Sequence, residues 1–353
     1  MGLDFTFWKG KKVFLTGHTG FKGTWVSLIL CHLGAEVYGY ALPPNTSPSF
    51  YDEISQSLDL RSSTLADIRN IDQLSQSVQE AQPEIIIHMA AQPLVRRSYD
   101  EPLETFSTNL MGLANLLDCA RKEDSLKVFL NVTSDKCYEN KETHDSYSEI
   151  DRLGGHDPYS NSKACAELIT QSYRDSFFAE NRVGVATARA GNVIGGGDWS
   201  LDRLVPDFIR AKNSSTQLNI RNPNAIRPWQ HVLEPVIAYL NLSQKIYEDP
   251  LNFSEAWNFG PSDRDIISVS ELLVILQNHS ESKVDIQYEQ VSDKHEATLL
   301  KLDSSKAKQK LGWHLHWSVE DAIKKTLDWY NAFHQGKDMY NFSLEQLNSY
   351  ITS

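Results

Sequence analysis

Short apolar runs alternate with amphipathic stretches through the first half of the chain. Lys12–Thr16 is apolar without alternation and too short for a helix, which fits a strand buried on both faces. Thr24–Gly34 reads as a helix closed by glycine. Glu36–Leu42 is a second strand, and a third is expected just before Asp67. A helix over Ile71–Gln82 leads into a fourth strand, Ile85–Met89. The pattern continues with a long helix over Pro102–Ala120 and a strand over Lys127–Thr133. Helix Pro158–Glu180 and strand Val183–Arg189 complete it. This spacing predicts an α/β fold: a doubly wound parallel sheet with right-handed crossovers.

Ligands of such sheets sit at the carboxyl ends of the strands. Three loops fall there: Gly17-His18-Thr19-Gly20-Phe21-Lys22-Gly23, His88–Gln92 and Thr133–Tyr138. Glycines at this spacing, between a strand and a helix, let the backbone approach a pyrophosphate and offer amide donors to it. A second constellation is Asp157-Pro158-Tyr159-Ser160-Asn161-Ser162-Lys163. Asp157 suits a helix cap and Pro158 the first helical position, so Lys163 falls on the same face as Tyr159, one turn on. The ammonium and the positive helix end both favour a phenolate, which suits Tyr159 to take a proton from an alcohol. Ser134, Asp135 and Lys136 put a hydroxyl, a carboxyl and an amine side by side, and only a turn can gather them around one ligand.

Together with Pro93–Tyr99 and Arg189–Trp199, these segments resemble the extended short-chain dehydrogenase/reductase family. Within it they are similar to the nucleotide-sugar 4,6-dehydratases, and to the subgroup acting on CDP-glucose, over most of the chain to about Trp329. The resemblance implies a Rossmann domain over residues 1–191, with the chain returning to it near 230–258. Residues 192–353 would form mainly a smaller sugar-nucleotide domain. It implies NAD held by Gly17, His18, Gly20, Phe21, Lys22, Gly23, Asp67, Ile68, Met89, Ala90 and Ala91, with Tyr159 and Lys163. It implies catalysis by Ser134, Asp135, Lys136, Tyr159 and Lys163. Tyr159 would take the sugar 4-hydroxyl proton as hydride leaves C4 for nicotinamide, Asp135 would protonate the departing 6-hydroxyl, and Lys136 would be base or orienter at C5. Ser134 would hydrogen-bond the sugar 4-oxygen. Asn192, Arg203 and Arg227 would hold the substrate, an arginine fork suiting a pyrophosphate. In related dTDP-glucose dehydratases Asp-Glu stands where this chain has Asp135-Lys136. The long helices Pro102–Ala120 and Pro158–Glu180 resemble the pair at a homodimer interface. The product would feed deoxysugar synthesis for surface polysaccharide such as lipopolysaccharide.

Two other readings share this fold: a nucleotide-sugar 4-epimerase, which needs Tyr159 and Lys163 but not Asp135-Lys136, and a non-catalytic NAD-sensing protein. After the second strand, Tyr38–Pro44 offers neither an acid for the ribose 2′-hydroxyl nor an arginine for a 2′-phosphate, so NAD is expected, less tightly held. A net charge of −12 disfavours nucleic acid and anionic membranes as partners. An anionic substrate must therefore be held by local cations. Four scattered cysteines (Cys31, Cys119, Cys137, Cys165) have neither metal-ligand nor disulfide spacing, which points to a reducing cytoplasm. His314 and His316, in the strand-like Trp313–Trp317, read as packing residues rather than metal ligands.

Overall fold

The structure is a computed structural model that describes residues 4–143, 145–178, 183–288 and 299–353. Its centre is a seven-stranded sheet built in chain order as follows. Strand β1 (Lys12–Thr16) leads through helix α1 (Phe21–His32) to β2 (Glu36–Ala41) and β3 (Leu60–Leu65). Helix α2 (Ile71–Ala81) precedes β4 (Ile85–His88). Helix α3 runs from Pro102–Phe106 through a π-helical turn, Ser107–Met111, into Gly112–Ala120, and β5 (Val128–Val132) follows. Helix α4 (Pro158–Tyr173) continues as a π-turn, Arg174–Phe178, and leads to β6 (Gly184–Ala190). The expected helix end at Glu180 lies outside the described residues.

Beyond β6 come α5 (Leu204–Ser214), β7 (Leu218–Ile220), α6 (Leu233–Glu248) and β8 (Ala256–Phe259). The sheet order is β8-β6-β5-β4-β1-β2-β3, and every pairing is parallel. The strand reversal between β1 and β4 is the kind of switch point that opens a ligand crevice.

The apolar runs are explained by two-sided burial. Val13, Leu15, Ile85, Ile87, Val128 and Leu130 face one core, while Phe14, Ile86 and Phe129 face the other. Helices α1 and α6 cover the first face; α2, α3 and α4 cover the second. Helix α6 and β8 come from the carboxyl-terminal half, yet α6 packs on β5 and β6 and β8 pairs with β6. Two further helices, Val319–His334 and Met339–Ile351, also pack on the first core.

Two local expectations need correction. Trp313–Trp317 forms no strand; its two tryptophans are buried in the core. Helix α1 starts at Phe21, earlier than Thr24, because Gly20 already serves as its cap.

Candidate active site

The glycine turn is held in shape by close contacts. Gly17 has φ +76°, and a Cβ there would stand 2.8 Å from Ala90 N. A Cβ on Gly23 would lie 2.0 Å from Gly17 O, so a side chain there would force the turn open. Thr16 Oγ1 accepts from Met89 N and Ala90 N at 3.0 and 3.2 Å, which ties the loop after β4 to the turn. Gly20 caps α1 without a side-chain hydrogen bond, leaving the first amides of a twelve-residue helix available to an anion. This cradle fits a dinucleotide pyrophosphate.

Not every expected cofactor residue presents its side chain to a ligand. His18 is fully buried against Gly39 with Nε2 2.8 Å from Ser63 Oγ, and burial pushes its pKa down to about 4, so the ring is neutral. The Asp67 carboxylate is engaged by Arg69, with Nη2 at 2.5 Å from Oδ2, and Arg69 in turn pairs with Glu104 at 2.6 Å. Ile68 is a core side chain pressed against Gly112. Phe21 packs on the core beside Gly195. Lys22 extends into the cleft, with its pKa pushed down to about 7 chiefly by burial and further by Lys163 and Arg203.

A cleft of about 350 Å3 opens at these strand ends. Met89, Ala91, Ser134, Asp135, Lys136, Tyr159 and Lys163 line it together with Asn192, Arg203 and Arg227. Asp157 caps α4, its side chain accepting from Ser160 N at 2.9 Å, with Pro158 at the helix start. Tyr159 N donates to Ser98 Oγ at 3.1 Å, and Lys163 Nζ reaches Val132 O at 3.5 Å. After β5 the chain makes one 3-10 turn, Asp135–Cys137, capped by Ser134. Ser134 Oγ accepts from Lys136 N at 3.2 Å and donates to Asp135 Oδ1 at 2.9 Å. Asp135 Oδ2 is buried and accepts no hydrogen bond among the described residues. Burial raises the Asp135 pKa above the usual carboxylate range, against the pull of Lys136, the Ser134 hydroxyl and Arg227. The shift is toward the protonated form, the form in which a carboxyl group can give a proton to a leaving hydroxyl.

The tyrosine departs from the sequence expectation. Its pKa is not lowered but pushed up to about 12, because burial outweighs the hydrogen bond to Ser134 and the charge of Arg203. Asp135 and the capping Asp157 push in the same direction as burial. Lys163 is itself buried, with its pKa pushed down to about 8 against the charge of Glu167. Desolvation is thus the stronger effect on both groups.

Arg203 stands at the start of α5 with Nη1 3.3 Å from Asp198 Oδ2. Arg227 is buried and donates from Nη1 to Ile226 O at 2.9 Å. Asn192 holds the connection through its carbonyl, which accepts from Gln230 N at 3.0 Å. Sequence reasoning gave no role to Arg96 or Arg221, which also line the cleft. Arg221 follows β7 and pairs with Asp202 at 2.9 Å; a polar cluster after a short strand was its only signal. Ser98 was missed too, although it lies within the Pro93–Tyr99 segment.

Comparison with known proteins agrees with this architecture. The family described as GDP-mannose 4,6 dehydratase matches residues 14–326. The CDP-glucose 4,6-dehydratase of Salmonella typhimurium is 46% identical over 356 residues, covering 99% of each chain. Among solved structures, a double mutant of the dTDP-glucose 4,6-dehydratase DesIV from Streptomyces venezuelae, with NAD bound, is similar at a TM-score of 0.79. That match is 21% identical and covers 93% of this chain and 99% of the other. A UDP-glucose 4-epimerase from Thermotoga maritima is similar at 0.78 and 21% identity, covering 91% and 99%. At such identities the two structures establish the fold, which dehydratases and epimerases share. The profile and the end-to-end relative go further: the chain belongs to the GDP-mannose 4,6 dehydratase family.

Proposed function

We propose that this protein is an NAD-dependent nucleotide-sugar 4,6-dehydratase that converts CDP-glucose to CDP-4-dehydro-6-deoxyglucose and water. The observation that carries the reading is the buried Asp135, whose free Oδ2 lies in the same cleft as Tyr159. Of the chain's own residues, oxidation at C4 by NAD needs only Tyr159 and Lys163. Loss of water needs an additional acid, and Asp135, with its unpartnered Oδ2 in the cleft and its pKa raised by burial, is the group placed to be one. The choice of CDP-glucose rests on the relative that is 46% identical across almost the whole chain.

In this reading the glycine turn would seat NAD, which would supply the hydride acceptor for C4 of the sugar and the hydride donor for C6. Tyr159, as the phenolate, accepts the 4-hydroxyl proton. Ser134 hydrogen-bonds the 4-oxygen, and Lys163 holds the cofactor ribose. The 4-ketone makes the C5 proton acidic; Lys136 takes or orients it as the C6–O bond breaks, and Asp135 gives its proton to the leaving hydroxyl. Arg203 and Arg227 hold the pyrophosphate, and Asn192 supports the same phosphates.

Two further statements belong to this reading. The protein works as a homodimer through α3 and α4, which carry the exposed apolar side chains Leu103, Met111 and Leu168. It acts in the cytoplasm, in deoxysugar synthesis for surface polysaccharide. The free cysteines and the absence, among the described residues, of any helix long and apolar enough to cross a membrane support that location.

The test is incubation of the pure protein and NAD with CDP-, dTDP-, UDP- and GDP-glucose, with products weighed by mass spectrometry. Loss of one water from the CDP sugar is expected. An unchanged mass with inverted C4 would make it an epimerase, and binding without turnover a sensor.

A further inference from the structure

Beneath the cleft lies an ion pair that the reaction scheme leaves without a role. Glu167 and Arg189 have side chains only 3% exposed and meet at 2.8 Å. Burying two charges is costly, and such a pair is weak evidence for stability, so what it touches is more informative than its strength. Glu167 stands on α4 one turn beyond Lys163, and one carboxylate oxygen accepts from Thr133 Oγ1. The other accepts from Thr187 Oγ1 at 2.6 Å and from Arg189 Nη2. Arg189 Nη1 donates to Tyr138 OH at 2.8 Å, with its guanidinium 5.0 Å from that ring centre. Tyr138 OH donates to Asn258 Oδ1 on β8 at 2.7 Å.

Thr133 and Tyr138 are the residues on either side of Ser134–Cys137. One buried pair therefore grips both ends of the turn that carries Asp135 and Lys136. It fastens them to the helix that carries Tyr159 and Lys163. Lys163 strengthens the joint by reaching Val132 O, the residue before Thr133. The two halves of the proposed chemistry sit on different elements, and this is a side-chain bridge between them.

We propose that Glu167 and Arg189 are positioning residues that set the register between the oxidising pair, Tyr159 and Lys163, and the eliminating pair, Asp135 and Lys136. The inference rests on the dehydratase reading. Both pairs must act on one sugar ring: a proton leaves O4 and hydride leaves C4, then a proton leaves C5 as the 6-oxygen departs with a proton from Asp135. A displacement of about 1 Å between catalytic groups costs on the order of 100-fold in rate. Loosening the bridge leaves Tyr159 in place on its helix but lets the turn drift. Water loss then slows more than oxidation, and reduced cofactor accumulates.

Two isosteric changes in the protein test this. Thr133→Val and Thr187→Val each remove one hydrogen bond to the same carboxylate, but only Thr133 is joined to the turn. Each variant is mixed with CDP-glucose and NAD for a single turnover. The near-ultraviolet absorbance of reduced nicotinamide reports oxidation, and quenched mass analysis reports water loss. Thr133→Val is expected to slow water loss about tenfold or more relative to oxidation, with reduced cofactor building up, a smaller effect than that of a full 1 Å displacement. Thr187→Val is expected to keep the two rates in the wild-type ratio. If both variants keep that ratio, or both change it alike, the pair is structural only and the positioning role is overturned. Wild-type protein that loses no water overturns the dehydratase reading, and this inference with it.

Discussion

Asp157 and Tyr159 work against each other at the start of α4. The Asp157 side chain caps the helix by accepting from Ser160 N at 2.9 Å, and its charge raises the pKa of the phenol two residues away. The positive helix end that should favour a phenolate is thus partly cancelled by the group that caps it. Replacing Asp157 with Asn keeps a good cap, within about 1 kcal/mol of stability, and removes the charge. As a base, Tyr159 must be deprotonated, so activity rises with pH through its pKa in the free protein. That pKa is pushed up to about 12, and removing Asp157's charge lowers it. The rising limb of kcat/KM should therefore move to lower pH in Asp157→Asn. An unmoved limb would mean that the Asp157 charge does not act on the phenol.

Tyr159→Phe removes only the phenol oxygen from a buried ring. The variant should fold and bind NAD as the wild type does, while turnover falls about 10²–10⁴-fold. Circular dichroism and cofactor titration check the first part, and single-turnover reduction of NAD the second. Reduction at the wild-type rate would exclude Tyr159 from the chemistry.

The eliminating pair can be separated from the oxidising pair by isotope. Asp135→Asn and Lys136→Met should still reduce NAD once with CDP-glucose but stall before water leaves, with turnover lowered at least about 10²-fold. In the wild type, deuterium placed at C4 should reappear at C6, and solvent deuterium at C5. Deuterium kept at C4 without water loss would mark an epimerase.

The glycine turn makes an asymmetric prediction. A Cβ on Gly23 meets Gly17 O at 2.0 Å, whereas one on Gly20 meets it at an ordinary 3.4 Å. Gly23→Ala should therefore weaken NAD binding by more than about tenfold, equivalent to about 1.4 kcal/mol. Gly20→Ala should be the milder change. Calorimetric titration of both variants decides, and equal losses would mean that the turn does not hold the cofactor.

Association should run through α3 and α4. Light scattering is expected to return twice the chain mass of 40.0 kDa at micromolar protein. Met111→Glu, which puts a charge on an exposed apolar position of α3, should shift the mass to that of the monomer. A wild type of monomer mass would remove the dimer from the reading.

What the chain reveals before folding follows from where burial is complete. Ile85-Ile86-Ile87 and Val128–Leu130 are covered on both faces, so their apolar runs announce strands directly. Strand β3 ends the sheet with Arg61, Ser62 and Ser63 exposed, and its polar sequence marks no boundaries. The four residues of β8, Ala256–Phe259, include the polar Asn258 and form no continuous apolar run, and the π-turns in α3 and α4 leave no periodic trace. Tyr159, Lys163 and Ser134–Lys136 were legible because each stands at a helix start or strand end, and the fold brings them to one cleft. Arg96 and Arg221 were not, since a loop arginine has no periodicity to mark it. The Tyr159 pKa was misjudged for a different reason: charge can be read from sequence, but desolvation depends on how the whole cleft closes.

The place of β8 at the rim of the sheet bears on how the molecule comes into being. During synthesis every strand through β6 emerges first, yet the outer amides and carbonyls of β6 stay unpaired until Ala256–Phe259 arrives. A nascent chain halted after residue 191 therefore displays a fully buried strand as a naked edge, ready to pair with a neighbouring copy. The amino-terminal half should be sticky when expressed alone, and the remedy is not a solubility tag but the seventy or so residues that bring α6 and β8 home.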